Sequence, residues 1–155
     1  MTKTLKIEEL TAKKLYKTAA PELKEILEQS FGKEFFSEEL TDIIKNYSDV
    51  CKKLNTKELT EKDFKQFGDD AKKMLAFHQI KNIENLFNQG WIKDWSNKSQ
   101  YKYYPYFEVL SCGVLRCCRV SYVSVCFLGS VAFFKDEKTA KFVGQTFIDI
   151  YKELM

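Results

Sequence analysis

The feature that most constrains this chain is a change of period at Trp91. Before it, apolar residues recur at helical spacing. After it comes an aromatic and β-branched run suited to a pleated surface. Two kinds of element therefore have to share one core, which predicts an α+β fold. The expected architecture is a mostly helical N-terminal two-thirds, a three-stranded antiparallel sheet, and a C-terminal helix packed on that sheet. With 155 residues and no Pro/Gly/Ser-rich linker or internal repeat, the chain reads as one domain, 1–155, with a layer of helices over 1–90 and the sheet and last helix over 91–155.

Helix boundaries come from punctuation. A short helix over 11–19 carries Leu15, Tyr16 and Ala19. The next, over 21–30, opens on Pro21, where the missing N–H costs nothing, and stops at Gly32. From Thr41, the residues Ile43, Ile44, Tyr47, Val50, Cys51 and Leu54 form one stripe that predicts a single helix ending at Asn55. Thr60 to Asp63 resembles a capping box, the apolar stripe beyond it runs to Gly90, and Gly68 is expected to break or bend it. Strands are predicted over 101–110, 114–123 and 126–134, and Asp136 caps a final helix.

Composition excludes several functions. A net charge of +3 is too small to imply a polyanion partner by itself. The charged start, MTKTLKIEELTAKK, lacks the apolar core of a signal peptide, and no window approaches a membrane span, so the expectation is a cytoplasmic protein with no membrane partner. The five cysteines, Cys51, Cys112, Cys117, Cys118 and Cys126, show no disulfide framework and no paired zinc knuckles. They are expected to be buried thiols behaving as small hydrophobes. His78, the one imidazole, has no obvious partner in sequence and reads as a surface or edge-of-core residue rather than a general base. No phosphate-cradling glycine loop, nucleophile elbow, HExxH pair or calcium loop is present. We therefore expect no enzyme, with no catalytic residue, metal or cofactor.

One constellation is dense in possible chemistry. Between Trp91 and Phe107 lie seven aromatics with Lys93, Lys98 and Lys102 interleaved. On a strand, Lys102, Tyr104 and Tyr106 would share one face and Tyr101, Tyr103 and Phe107 the other. A core needs only one of them. A contact surface of Trp95, Lys102, Tyr104, Tyr106, Arg116 and Arg119 is therefore expected, meeting a protein partner or a second copy of the chain. Single-stranded nucleic acid is the alternative, with bases stacked on the tyrosines and phosphates met by the cations.

The pattern GW-x2-DW-x-N-x2-Q-x-KYYPYF from Gly90 to Phe107, with AAPELKEILEQSFGKEFF before it and GSVAFFKDEKTAKFVGQTFIDIYKEL after it, resembles a family of small proteins encoded in phages and mobile elements of gut anaerobes. In that family a proline precedes the Asp-Trp where Lys93 stands here, and a serine-rich hairpin replaces CCRVSYVSVC. The family has no assigned activity, so no functional residue carries over. The resemblance implies an intracellular accessory protein of a mobile element.

Overall fold

A computed structural model describes residues 7–36, 39–125 and 130–155. The chain divides into two compact units, Met1–Glu39 and Leu40–Met155. The first holds α1 (Glu9–Thr18), α2 (Pro21–Phe31) and a 3-10 turn, Lys33–Phe36. Gly32, at φ 86°, closes α2 in a conformation a side chain would strain. An aromatic cluster fills this unit. Tyr16 stacks on Phe36 at 4.2 Å between centroids, and Phe31 on Phe35 at 5.0 Å.

The second unit begins with α3 (Leu40–Ile43) and α4 (Tyr47–Leu54), where the stripe predicted one helix. The break comes from local polar groups. Asn46 Oδ1 accepts from Asp49 N at 3.1 Å while Asp49 Oδ2 accepts from Lys45 N at 3.0 Å, so a new helix is capped at Asn46. As expected, Asn55 ends α4, in the left-handed region at φ 52°. Thr60 and Asp63 form the expected capping box, which opens a 3-10 segment, Glu61–Asp70, kinked at Gly68, before α5 (Ala71–Asn88).

The sheet has two strands among the described residues, β1 (Lys102–Val109) and β2 (Leu115–Val123), antiparallel and close to their predicted bounds. Tyr106 pairs with Arg119 but Phe107 pairs with Cys117, which leaves Cys118 as an extra residue in a bulge. Strict alternation along β2 would set Cys117 on one face with Arg119, and the bulge overturns that. Cys117 instead shares the inner face with Val120.

The expected third strand is a further correction. Residues 126–129 lie outside the described residues, and the rest of 126–134 contributes a single bridge, in which Tyr103 N donates to Phe134 O at 2.9 Å and Phe134 N to Tyr103 O at 2.7 Å. The other side of that segment is taken by side chains of α5. Glu84 Oε1 accepts from Phe133 N (2.9 Å), Asn88 Nδ2 donates to Phe133 O (2.8 Å), and Asn88 Oδ1 accepts from Lys135 N (3.2 Å). Two helical side chains thus satisfy backbone groups that would otherwise need a further strand.

The chain finishes in α6 (Glu137–Thr146), capped by Asp136 as predicted, and α7 (Ile148–Lys152), which follow each other across Phe147. Both pack on the inner face of the hairpin. The core joins Ile80, Ile83 and Phe87 of α5 to Phe134, Val143, Phe147 and Tyr151, with Tyr103, Phe107 and Val120 packed against it. The closest approach is at Gly144. A Cβ there would stand 2.5 Å from Pro105 Cβ and 2.6 Å from Cys117 Sγ. Gly144→Ala should therefore force α6 away from the hairpin at a cost of about 1–3 kcal/mol in urea unfolding. A loss below about 0.5 kcal/mol would show that this contact is loose.

Candidate functional site

Gly90, at φ 79°, turns the chain out of α5. In the loop that follows, Asp94 Oδ1 accepts from Ser96 N (2.9 Å) and Ser96 Oγ (2.6 Å), and Asn97 Oδ1 accepts from Ser99 N (2.9 Å). Gln100 closes the loop, its Oε1 accepting from Asp94 N (2.8 Å) and its Nε2 donating to Ile92 O (3.0 Å). The hydroxyl and N–H of Ser96 hold the Asp94 carboxyl below the usual range.

Lys102 belongs to the same device and is a correction to the expected contact surface. It is fully buried. Its ammonium donates to Asp94 O (2.5 Å) and Asn97 O (3.3 Å) and lies 5.2 Å from the centroid of Trp95. Carbonyl dipoles and an aromatic face supply what water would have, so the lysine is spent on holding the loop. Half-buried Trp95 is committed too, edge-on to Phe133 at 5.3 Å. Tyr104 is half-buried and meets the same ring at 5.7 Å.

The register sets Lys102, Tyr104 and Tyr106 of β1 on one face with Arg116 and Arg119 of β2, opposite the face covered by α6. Only the half toward the hairpin tip is open. There Tyr106 is exposed, and the Arg119 guanidinium lies 4.5 Å from its ring centroid. Arg116 is bonded to Glu108 across the strands. Beyond them the tip exposes Val109, Val114 and Cys112. The thiols therefore divide, against expectation. Cys51 is buried and Cys117 half-buried, where desolvation pushes its thiol up; Cys112 in the turn and Cys118 in the bulge are exposed; Cys126 lies outside the described residues.

Two polar groups missed from sequence stand out on α5. Glu84 and Asn88 are one turn apart within the apolar stripe, and that spacing was the available signal. The Glu84 side chain is 6% exposed. Its Oε1 takes Lys93 Nζ at 2.6 Å, and its Oε2 takes Lys81 Nζ. Burial pushes the carboxyl up, but hydrogen bonds from Lys81, Lys93 and Phe133 N outweigh it and hold the group below the usual carboxylate range. Lys81, Asn82, Glu84, Asn85, Trp91 and Lys93 line an open cleft of about 410 Å³. Further along α5, Asn82 Nδ2 lies 2.8 Å from Tyr47 Oη and 3.1 Å from His78 Nε2, so the half-buried imidazole does find a partner.

Among the described residues no group of three or more His, Cys, Asp or Glu could hold a metal ion, and no helix is long and apolar enough to cross a membrane. No family model matches this chain, and no curated protein or solved structure matches it.

Because the Glu84 carboxyl is depressed in the folded state, its contribution to stability is present above the unfolded carboxylate range and is lost as pH falls through the folded value. Glu84→Gln should cost about 3 kcal/mol at pH 7, since it strands partners of a buried charge. It should also flatten the loss of stability on acidification below about pH 4. Urea titrations across pH check both, and an unchanged acid dependence in the variant would contradict the assignment.

Proposed function

We propose that this chain is a non-enzymatic accessory protein of a phage or mobile element, working inside the cell through protein contacts made by the outer, tip-proximal half of the hairpin. The observation that carries the reading is the exposed Tyr106–Arg119 pair, mounted on a ribbon whose other face packs Tyr103, Phe107 and Val120 against the core. Tyr and Arg are the residue types that dominate binding energy at protein interfaces, and a stacked guanidinium gives up little entropy when covered. The resemblance of the Gly90–Phe107 pattern to mobile-element proteins supports the cellular setting.

Charge favours this reading over single-stranded nucleic acid. Of the three expected cations on the face, Lys102 is buried and Arg116 is neutralised by Glu108, which leaves Arg119. One cation releases about one counterion, too little to hold a strand at physiological salt.

The test is a Tyr106→Ala, Arg119→Glu double variant. It should keep the wild-type unfolding midpoint within about 1 kcal/mol, as a surface change does. It should lose at least ten-fold in affinity for the protein that the wild-type chain retains from host extract, or lose self-association seen by light scattering. In parallel, anisotropy with 20-nucleotide DNA and RNA should show no binding at 150 mM salt. Binding that falls steeply with salt and disappears in the variant would replace the protein reading with nucleic acid.

A further inference from the structure

We propose that the cleft between the C-terminal half of α5 and the Trp91–Lys93 segment binds a small anion that carries a planar ring. The site is separate from the hairpin face and does not depend on its reading. Two ammonium groups, of Lys81 and Lys93, converge on the two oxygens of one carboxylate, so the cleft carries an excess positive charge. Oε1 of Glu84 is filled, because it accepts from Phe133 N as well as from Lys93. An ammonium has three donors and each spends one on Glu84, so both lysines keep donors for a second acceptor. Their side chains are 40% and 28% exposed, within reach of a solute in the cleft.

The ring requirement comes from Trp91. Trp95 is packed on Phe133, whereas Trp91 is half-exposed, lines the cleft, and meets no aromatic ring among the described residues. Its indole offers a flat apolar surface beside the two cations. Asn85 adds an exposed amide at the rim, while the amides of Asn82 and Asn88 are committed to Tyr47 and to the Phe133 and Lys135 backbone. A volume of about 410 Å³ falls in the range of small-molecule sites. An inorganic anion would leave the indole uncovered, and a neutral ring would leave the remaining ammonium donors without an acceptor. The shared chemistry is met by a nucleoside monophosphate or by an aromatic carboxylate.

Calorimetric titration of the full chain with AMP, indole-3-acetate, adenosine and inorganic phosphate tests this. Saturable binding of AMP or of indole-3-acetate is expected, with adenosine and phosphate at least ten-fold weaker. The tighter of the two anions tells phosphate from carboxylate. Trp91→Leu and Lys81→Gln should each weaken that binding at least ten-fold while the thermal midpoint confirms folding. If either variant fails to fold, the discrimination by the wild-type chain decides. No saturable binding of either anion, adenosine binding as tightly as AMP, or unchanged affinity in both folded variants would overturn the proposal.

Discussion

Glu84 is a carboxylate placed where an α/β interface would ordinarily have an apolar side chain. Removing it from water is costly, and three donors from three different parts of the second unit offset that cost: Lys81 on its own helix, Lys93 in the loop after it, and the N–H of Phe133. Each donor is thereby fixed. Phe133 held against α5 sets Phe134 at bridging distance from Tyr103, and so positions β1. Lys93 held on the same carboxylate anchors the loop whose Trp95 ring, with the Lys102 ammonium 5.2 Å from its centroid, meets Phe133 edge-on. Asn88 repeats the arrangement one turn later, where it takes both the carbonyl of Phe133 and the N–H of Lys135.

The Gly90–Phe107 pattern is consequently a description of architecture. Its Asp, Asn and Gln build an Asx-type loop, its Lys lies beneath that loop on carbonyl oxygens, and its first strand supplies Pro105 to the tight contact with Gly144. Of the rings that the pattern itself specifies, Tyr106 is exposed on the hairpin and Trp91 is partly exposed beside the α5 cleft. Those two residues carry the two binding readings proposed here, a ring-bearing anion in the cleft and a protein on the hairpin.

Much of the fold was legible because local signals were strong. Pro21, Gly32, Asn55, the Thr60–Asp63 box and Asp136 each act through their own backbone or the nearest turn, so they read correctly from sequence. The misreadings share a different origin. Asn46 and Asp49 restart a helix inside a continuous apolar stripe, because a cap can override periodicity. The Cys118 bulge shifts the parity of β2, and no alternation count over CCRVSYV reveals one extra residue. The third strand was misread because its partners are side chains 45 to 49 residues earlier in the chain. Alternation sets Lys102 at a surface because nothing local in the sequence shows that the carbonyls of Asp94, Asn97 and Ser124 converge on it. Of the contact surface, the sequence indicated a shared face but not which half of it is open.

The account rests on Glu84 fixing the Phe133–Phe134 segment and, through it, the sheet. Amide hydrogen exchange under native conditions tests this residue by residue, in the wild-type chain and in Glu84→Gln. The account predicts that Phe133, Phe134 and Tyr103 exchange only on global unfolding in the wild type. In the variant these three should exchange through local opening, at least ten-fold faster, while the amides of α4 keep their protection relative to global stability. Uniform acceleration across α4 and the hairpin, or unchanged rates at Phe133 and Tyr103, would contradict it.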